Sequence, residues 1–108
     1  MRFVHNGRVP ELPDAETLMT LLTLHETGSE SAAAEVLGVG QSSVSRRIAT
    51  LQRLSPEPLT VRTATGTKLT PAGQRLLPFA REARAALLGA ARWLSAGERV
   101  GIPLRLGL

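Results

Sequence analysis

Ala32-Ala33-Ala34-Glu35-Val36-Leu37-Gly38-Val39-Gly40-Gln41-Ser42-Ser43-Val44-Ser45-Arg46-Arg47-Ile48-Ala49-Thr50-Leu51 reads as a short helix, a tight turn and a second helix. Ala33, Ala34 and Leu37 form the inner face of the first, and Gly38 stops it. Val39 is the apolar residue of the turn. Val44, Ile48 and Leu51 stand at i, i+4 and i+7, which gives the second helix, expected over 41–54, one buried stripe. Its other faces carry small hydroxyls and an amide, followed by two arginines. That chemistry suits the DNA major groove better than a protein core or an enzyme cleft.

Working outward, Asp14 is a good N-cap for a helix whose Leu18, Leu21, Leu22 and Leu24 recur at helical spacing, closed by Gly28. Ser29 or Ser31 can cap the helix that follows. On the C-terminal side, Ser55-Pro56-Glu57-Pro58 cannot continue a helix. Leu59-Thr60-Val61-Arg62 and Lys68-Leu69-Thr70 then flank Thr63-Ala64-Thr65-Gly66-Thr67, the pattern of a hairpin. A hairpin after a helix-turn-helix is a wing. Thr70 and Pro71 suit the N-cap and first position of a long helix over 71–96, ended by Gly97, with a kink available at Pro78. Leu76, Ala80, Ala83, Leu87, Ala90 and Leu94 make a near-heptad seam along it, a dimerisation surface. The expected fold is mainly α: a winged helix-turn-helix over 14–70 of three helices and a two-stranded wing, then the long linker helix. Residues 1–13 read as an arm and 97–108 as a tail with a short strand.

Composition narrows the class. The 108 residues suffice for one domain. They include no cysteine, so a disulfide framework and thiolate metal sites are excluded. There is no run of about 18 apolar residues and no signal-like N-terminus, so neither a membrane span nor export is expected, and the cytoplasm is the default. Residues 1–40 hold two arginines against six acids, net −4; residues 41–108 hold ten arginines and Lys68 against three acids, net +8. The basic half begins at the second helix of the motif, where positive charge favours a polyanion.

Gln41 suits adenine, Ser42, Ser43 and Ser45 several bases, and Arg46 and Arg47 a guanine or a phosphate, the phosphate being the commoner target. Arg62, Thr63, Thr65 and Lys68 of the wing suit a flanking phosphate or the minor groove. Arg75, Arg81, Arg84 and Arg92 read as solvated flanks of the long helix. His5 and His25 have no ligand spacing, no phosphate loop follows a strand, and the serines lack a His or Asp partner. Catalysis, a metal and a cofactor are therefore not expected.

Taken together, Gly28-Ser29, Ala33-Ala34, Leu37, Val39, Gln41, Val44-Ser45-Arg46, Ile48, Leu51, Leu59, Arg62 and Leu69-Thr70-x-Ala72-Gly73 resemble the N-terminal DNA-binding region of LysR-type transcriptional regulators, without a gap from about Leu18 to Leu94. The resemblance implies a regulator whose linker helices pair antiparallel in a homodimer, with two recognition helices on an inverted-repeat operator in double-stranded DNA. It also implies a DNA contact at Ser31. The family's ligand-binding domain begins with a strand like Leu104-Arg105-Leu106-Gly107, so the chain reads as a truncated piece or a short regulator without an effector site. The family usually has Phe at Glu30 and Thr60, Ser at Gly40, Pro at Ser42, Leu-Gly at Ser55-Pro56 and Arg at Thr65. The two lost aromatics imply a looser core, and the lost arginine removes a wing contact. Two alternatives stand beside this reading: a winged-helix interaction module that has lost specific DNA binding, and a molybdate-responsive type of winged-helix regulator.

Overall fold

In a computed structural model, residues 11–100 are described, with side chains to residue 96. Residues 1–10 of the arm expected over 1–13, with His5, and the strand expected near Leu104 lie outside them. Five helices and one hairpin follow in order: α1 (Ala15–Thr27), α2 (Glu30–Leu37), α3 (Gln41–Gln52), β1 (Thr60–Thr63), β2 (Gly66–Leu69), α4 (Pro71–Arg75) and α5 (Leu77–Val100).

Local chemistry sets the helix ends. The Asp14 carboxylate accepts from the Thr17 amide at 2.8 Å, and Ser29, rather than Ser31, accepts from Ala32 at 3.1 Å. Gly28 and Gly38 take φ +88° and +70° and close α1 and α2 in the left-handed conformation. Helices α1, α2 and α3 pack around Leu21, Leu22, Leu24, Ala33 and Val44, all fully buried. The hydroxyl of Thr20, also in this core, donates to the Glu16 carbonyl at 2.7 Å, so burial leaves it satisfied. Glu30 and Thr60 are half-buried at the edge of this core rather than inside it.

The wing is tighter than expected. Thr63 pairs with Gly66, which leaves only Ala64 and Thr65 between the strands. The Thr63 hydroxyl closes that turn by donating to the Gly66 carbonyl at 3.0 Å and accepting from the Thr65 amide at 3.3 Å. Gly66, at φ +146°, lies against the α1–α2 turn, where a Cβ would stand 2.3 Å from the Gly28 carbonyl oxygen. The Thr67 amide donates to that same oxygen at 3.1 Å. The base of the wing is held by Gln52, whose side-chain oxygen accepts from the Leu59 amide at 2.8 Å. Thr70 then caps α4, accepting from the Gly73 amide at 3.1 Å and donating to the Pro58 carbonyl. A Cβ on Gly73 would lie 2.2 Å from the Leu59 carbonyl oxygen, so the Thr-Pro-Ala-Gly run is fixed by a close backbone approach.

The single helix expected over 71–96 is two. It breaks at Leu76, beyond which Pro78 has no N–H to give the Gln74 carbonyl. α5 runs through Gly97 to Val100, four residues beyond the expected end at 96. A glycine inside a helix costs only about 1 kcal/mol, and Glu98-Arg99-Val100 can continue it. The seam also divides. Ala80 is fully buried inside the domain's own core, with Leu76 and Ala83 packed against it, which takes Ala80 out of any intermolecular contact. Leu87, at 47% exposure, and Leu94, at 61%, stand outside the core, as does Ala90.

Candidate nucleic-acid interface

The inner stripe of α3, Val44, Ile48 and Leu51, is buried against α1 and α2, so the helix must present its opposite side outward. With about 100° per residue, Ser42, Arg46, Ala49 and Arg53 line that outer side. Each of these four is exposed. Gln41 is exposed at the helix start, where Gly40 provides no side-chain cap. The first amides of α3 are thereby left open to a phosphate or to water.

The named side chains divide by what they already hold. Arg46 reaches the Ser43 hydroxyl at 3.3 Å and, among the described residues, is paired with no carboxylate. The same holds for Arg53, Arg62 and Lys68, which are exposed. Arg47 differs. It is half-buried on the α1 side of α3 and pairs with Glu16 at 3.2 Å, so it ties α3 to α1 rather than facing outward. Ser43 is half-buried beside it and accepts from Arg46. Ser45 is exposed, but its hydroxyl donates to Glu30 at 2.8 Å. Ser31 is exposed in the first turn of α2. In the wing, the Thr63 hydroxyl is spent on the turn, while Arg62 and Lys68 project to solvent from paired strands.

Two participants escaped the sequence reading. Arg53 shares the outer stripe with Ser42 and Arg46, and its spacing alone could have found it. The Glu30–Ser45 bond crosses fifteen residues and has no sequence signal beyond an acid at the start of α2. Elsewhere Arg75 pairs with Glu57 and Arg84 with Glu26, each at 3.1 Å, so these two arginines are surface ties within the domain. Among the described residues no cluster of His, Cys, Asp or Glu could hold a metal, and no helix is long and apolar enough to cross a membrane.

Comparison with known proteins places this geometry. Residues 15–74 match the family model described as bacterial regulatory helix-turn-helix protein, lysR family. Over 96 residues, 89% of the chain, it is 41% identical to the HTH-type transcriptional regulator GalR of Pseudomonas putida, covering 24% of that protein. It is 45% identical over 69 residues, 64% of the chain, to the HTH-type transcriptional activator AllS of Klebsiella pneumoniae, covering 26% of it. The chain thus spans about a quarter of the length of these relatives. Among solved structures, oxidized OxyR of Corynebacterium glutamicum aligns with 94% of the chain and 29% of its own, at 28% identity and a TM-score of 0.67. The BenM_DBD/benA site 1 DNA complex aligns with 81% of the chain and 98% of its own, at 25% identity and a TM-score of 0.58.

Proposed function

The chain belongs to the lysR family of bacterial regulatory helix-turn-helix proteins, and from that premise we propose that it binds double-stranded DNA sequence-specifically as a homodimeric transcriptional regulator. The observation that carries this reading is the outer side of α3: a helix anchored by Val44, Ile48 and Leu51 turns Ser42, Arg46 and Arg53 outward, with Arg46 and Arg53 unpaired among the described residues. Such a helix enters the major groove with its first turns at base edges. Gln41 and Ser42 then meet bases, and Arg46 and Arg53 meet a base edge or the phosphates beside it. Ser31, at the start of α2, and Arg62 and Lys68, on the wing, meet the flanking backbone, where cations supply affinity without sequence preference. A solved relative in complex with its DNA site, of nearly the same extent as this chain, supports the assignment.

The dimer rests on α5. Leu87, Leu88, Trp93 and Leu94 leave an apolar ridge exposed beyond the domain core, continued by Ala90. Two such ridges, pairing antiparallel, would relate two α3 helices by a two-fold axis and match an inverted repeat. A chromosomal operator places the protein in the bacterial cytoplasm, and nothing in this role calls for catalysis.

Selection of bound duplexes from a random pool, followed by titration at low and moderate salt, tests the reading. It predicts an enriched inverted repeat whose affinity falls steeply with salt. Equal, salt-insensitive recovery of all sequences would leave an interaction module instead. Leu87→Glu is expected to yield monomers by light scattering with the helical circular dichroism retained. A dimer that survives this substitution would mean that the ridge is not the interface.

A further inference from the structure

Glu30 stands where an acid is out of place for a protein that meets phosphates. It occupies the first turn of α2, is half-buried, and pairs with no arginine or lysine among the described residues. Its Oε1 instead accepts the Ser45 hydroxyl proton across the α2–α3 angle at 2.8 Å. Ser45 is exposed and lies about 100° round α3 from Arg46, on the flank toward α2.

A free serine hydroxyl both donates and accepts, so it tolerates many base edges. Once its one proton is committed to Glu30, only lone pairs remain to face a partner. The carboxylate adds further acceptors beside it. We infer that Glu30 is a specificity-determining residue: together with Ser45 it forms an acceptor-only pair that favours a base with an exposed major-groove amino group, adenine or cytosine, at one position of the half-site. Thymine O4 and the O6 and N7 of guanine are acceptors and meet this pair unfavourably. The unneutralised charge also lowers affinity for every sequence, through repulsion of the phosphates, and more at low salt than at high. Glu30 thus exchanges general affinity for selectivity, and the exchange is local to one base pair. The inference rests on the DNA-binding reading proposed above.

The test uses the whole chain and the duplex selected from the random pool, with every single-base variant of one half-site titrated by fluorescence anisotropy. For the wild-type protein, one position is expected to prefer A or C over G or T by about fivefold or more. Glu30→Ala and Ser45→Ala are each expected to bring that preference below about twofold at the same position, and the double variant to go no further, as for two members of one contact. Glu30→Ala also tightens binding to all sequences at low salt. Glu30→Gln removes the charge and sets an amide donor beside Ser45, so it is expected to tighten binding at low salt as Glu30→Ala does and to weaken the preference for A or C. Retention of the wild-type base profile by Glu30→Ala, or relaxation of two different positions by the two single variants, overturns the inference while DNA binding stands. A wild-type protein with no salt-dependent duplex binding overturns both.

Discussion

The junction between wing and helices and the outer side of α3 obey opposite rules. At the junction nearly every polar group is committed: Gln52 to Leu59, Thr70 to Pro58 and Gly73, Thr67 to Gly28. Two glycines there sit so close to carbonyl oxygens that no side chain fits. On the outer side of α3, Gln41, Ser42, Arg46 and Arg53 are exposed, and neither arginine is paired with an acid among the described residues. Bonds already made hold the fold; bonds not yet made are available to a ligand. Stability and binding thus reside in different groups, and substitutions in the two regions are expected to act on different measurements.

The largest effect belongs to the core beneath both. Leu21→Ala empties a fully buried site, and a loss of about 3–5 kcal/mol in chemical denaturation is expected. At the junction, Gly73→Ala must displace the Leu59 carbonyl, an expected cost of about 2–3 kcal/mol. Gly89, in α5 with open space around it, makes the control: Gly89→Ala is expected to raise stability by about 0.5–1 kcal/mol. A Gly73→Ala protein as stable as the wild type would erase the contrast. The smallest effect is at Glu16. Glu16 itself is exposed although Arg47 is half-buried, so the pair is largely screened and Glu16→Ala should change stability by less than about 1 kcal/mol, and by less still in salt.

Much of this architecture was legible because it is written at short range. The stripe Val44, Ile48, Leu51 follows from a 3.6-residue period, and Asp14, Gly28, Gly38, Thr70 and Pro71 mark ends through bonds or dihedrals within one turn. The lysR resemblance, drawn from those same positions, is carried by the family match over residues 15–74. What escaped lies in contacts between distant segments. Arg47, a candidate DNA contact from its place beside Arg46, is paired with Glu16 brought to it by α1. Ala80 looked like part of an outward seam because periodicity cannot say which neighbour covers a helix face, and here the domain's own core does. Glu30 and Thr60, where aromatics were expected in the core, are only half-buried. The Thr63 hydroxyl, a wing candidate for DNA, closes its own turn, a preference that only the strand register reveals.

On the function proposed above, the outer side of α3 meets DNA through groups the fold does not use. Arg46→Ala tests it most directly, measured as the salt dependence of duplex binding beside a thermal melt. An unchanged melting temperature, weaker binding, and a log–log salt slope reduced by about one if Arg46 meets a phosphate are expected. Equal affinity and equal slope in the variant, with the fold intact, would contradict it.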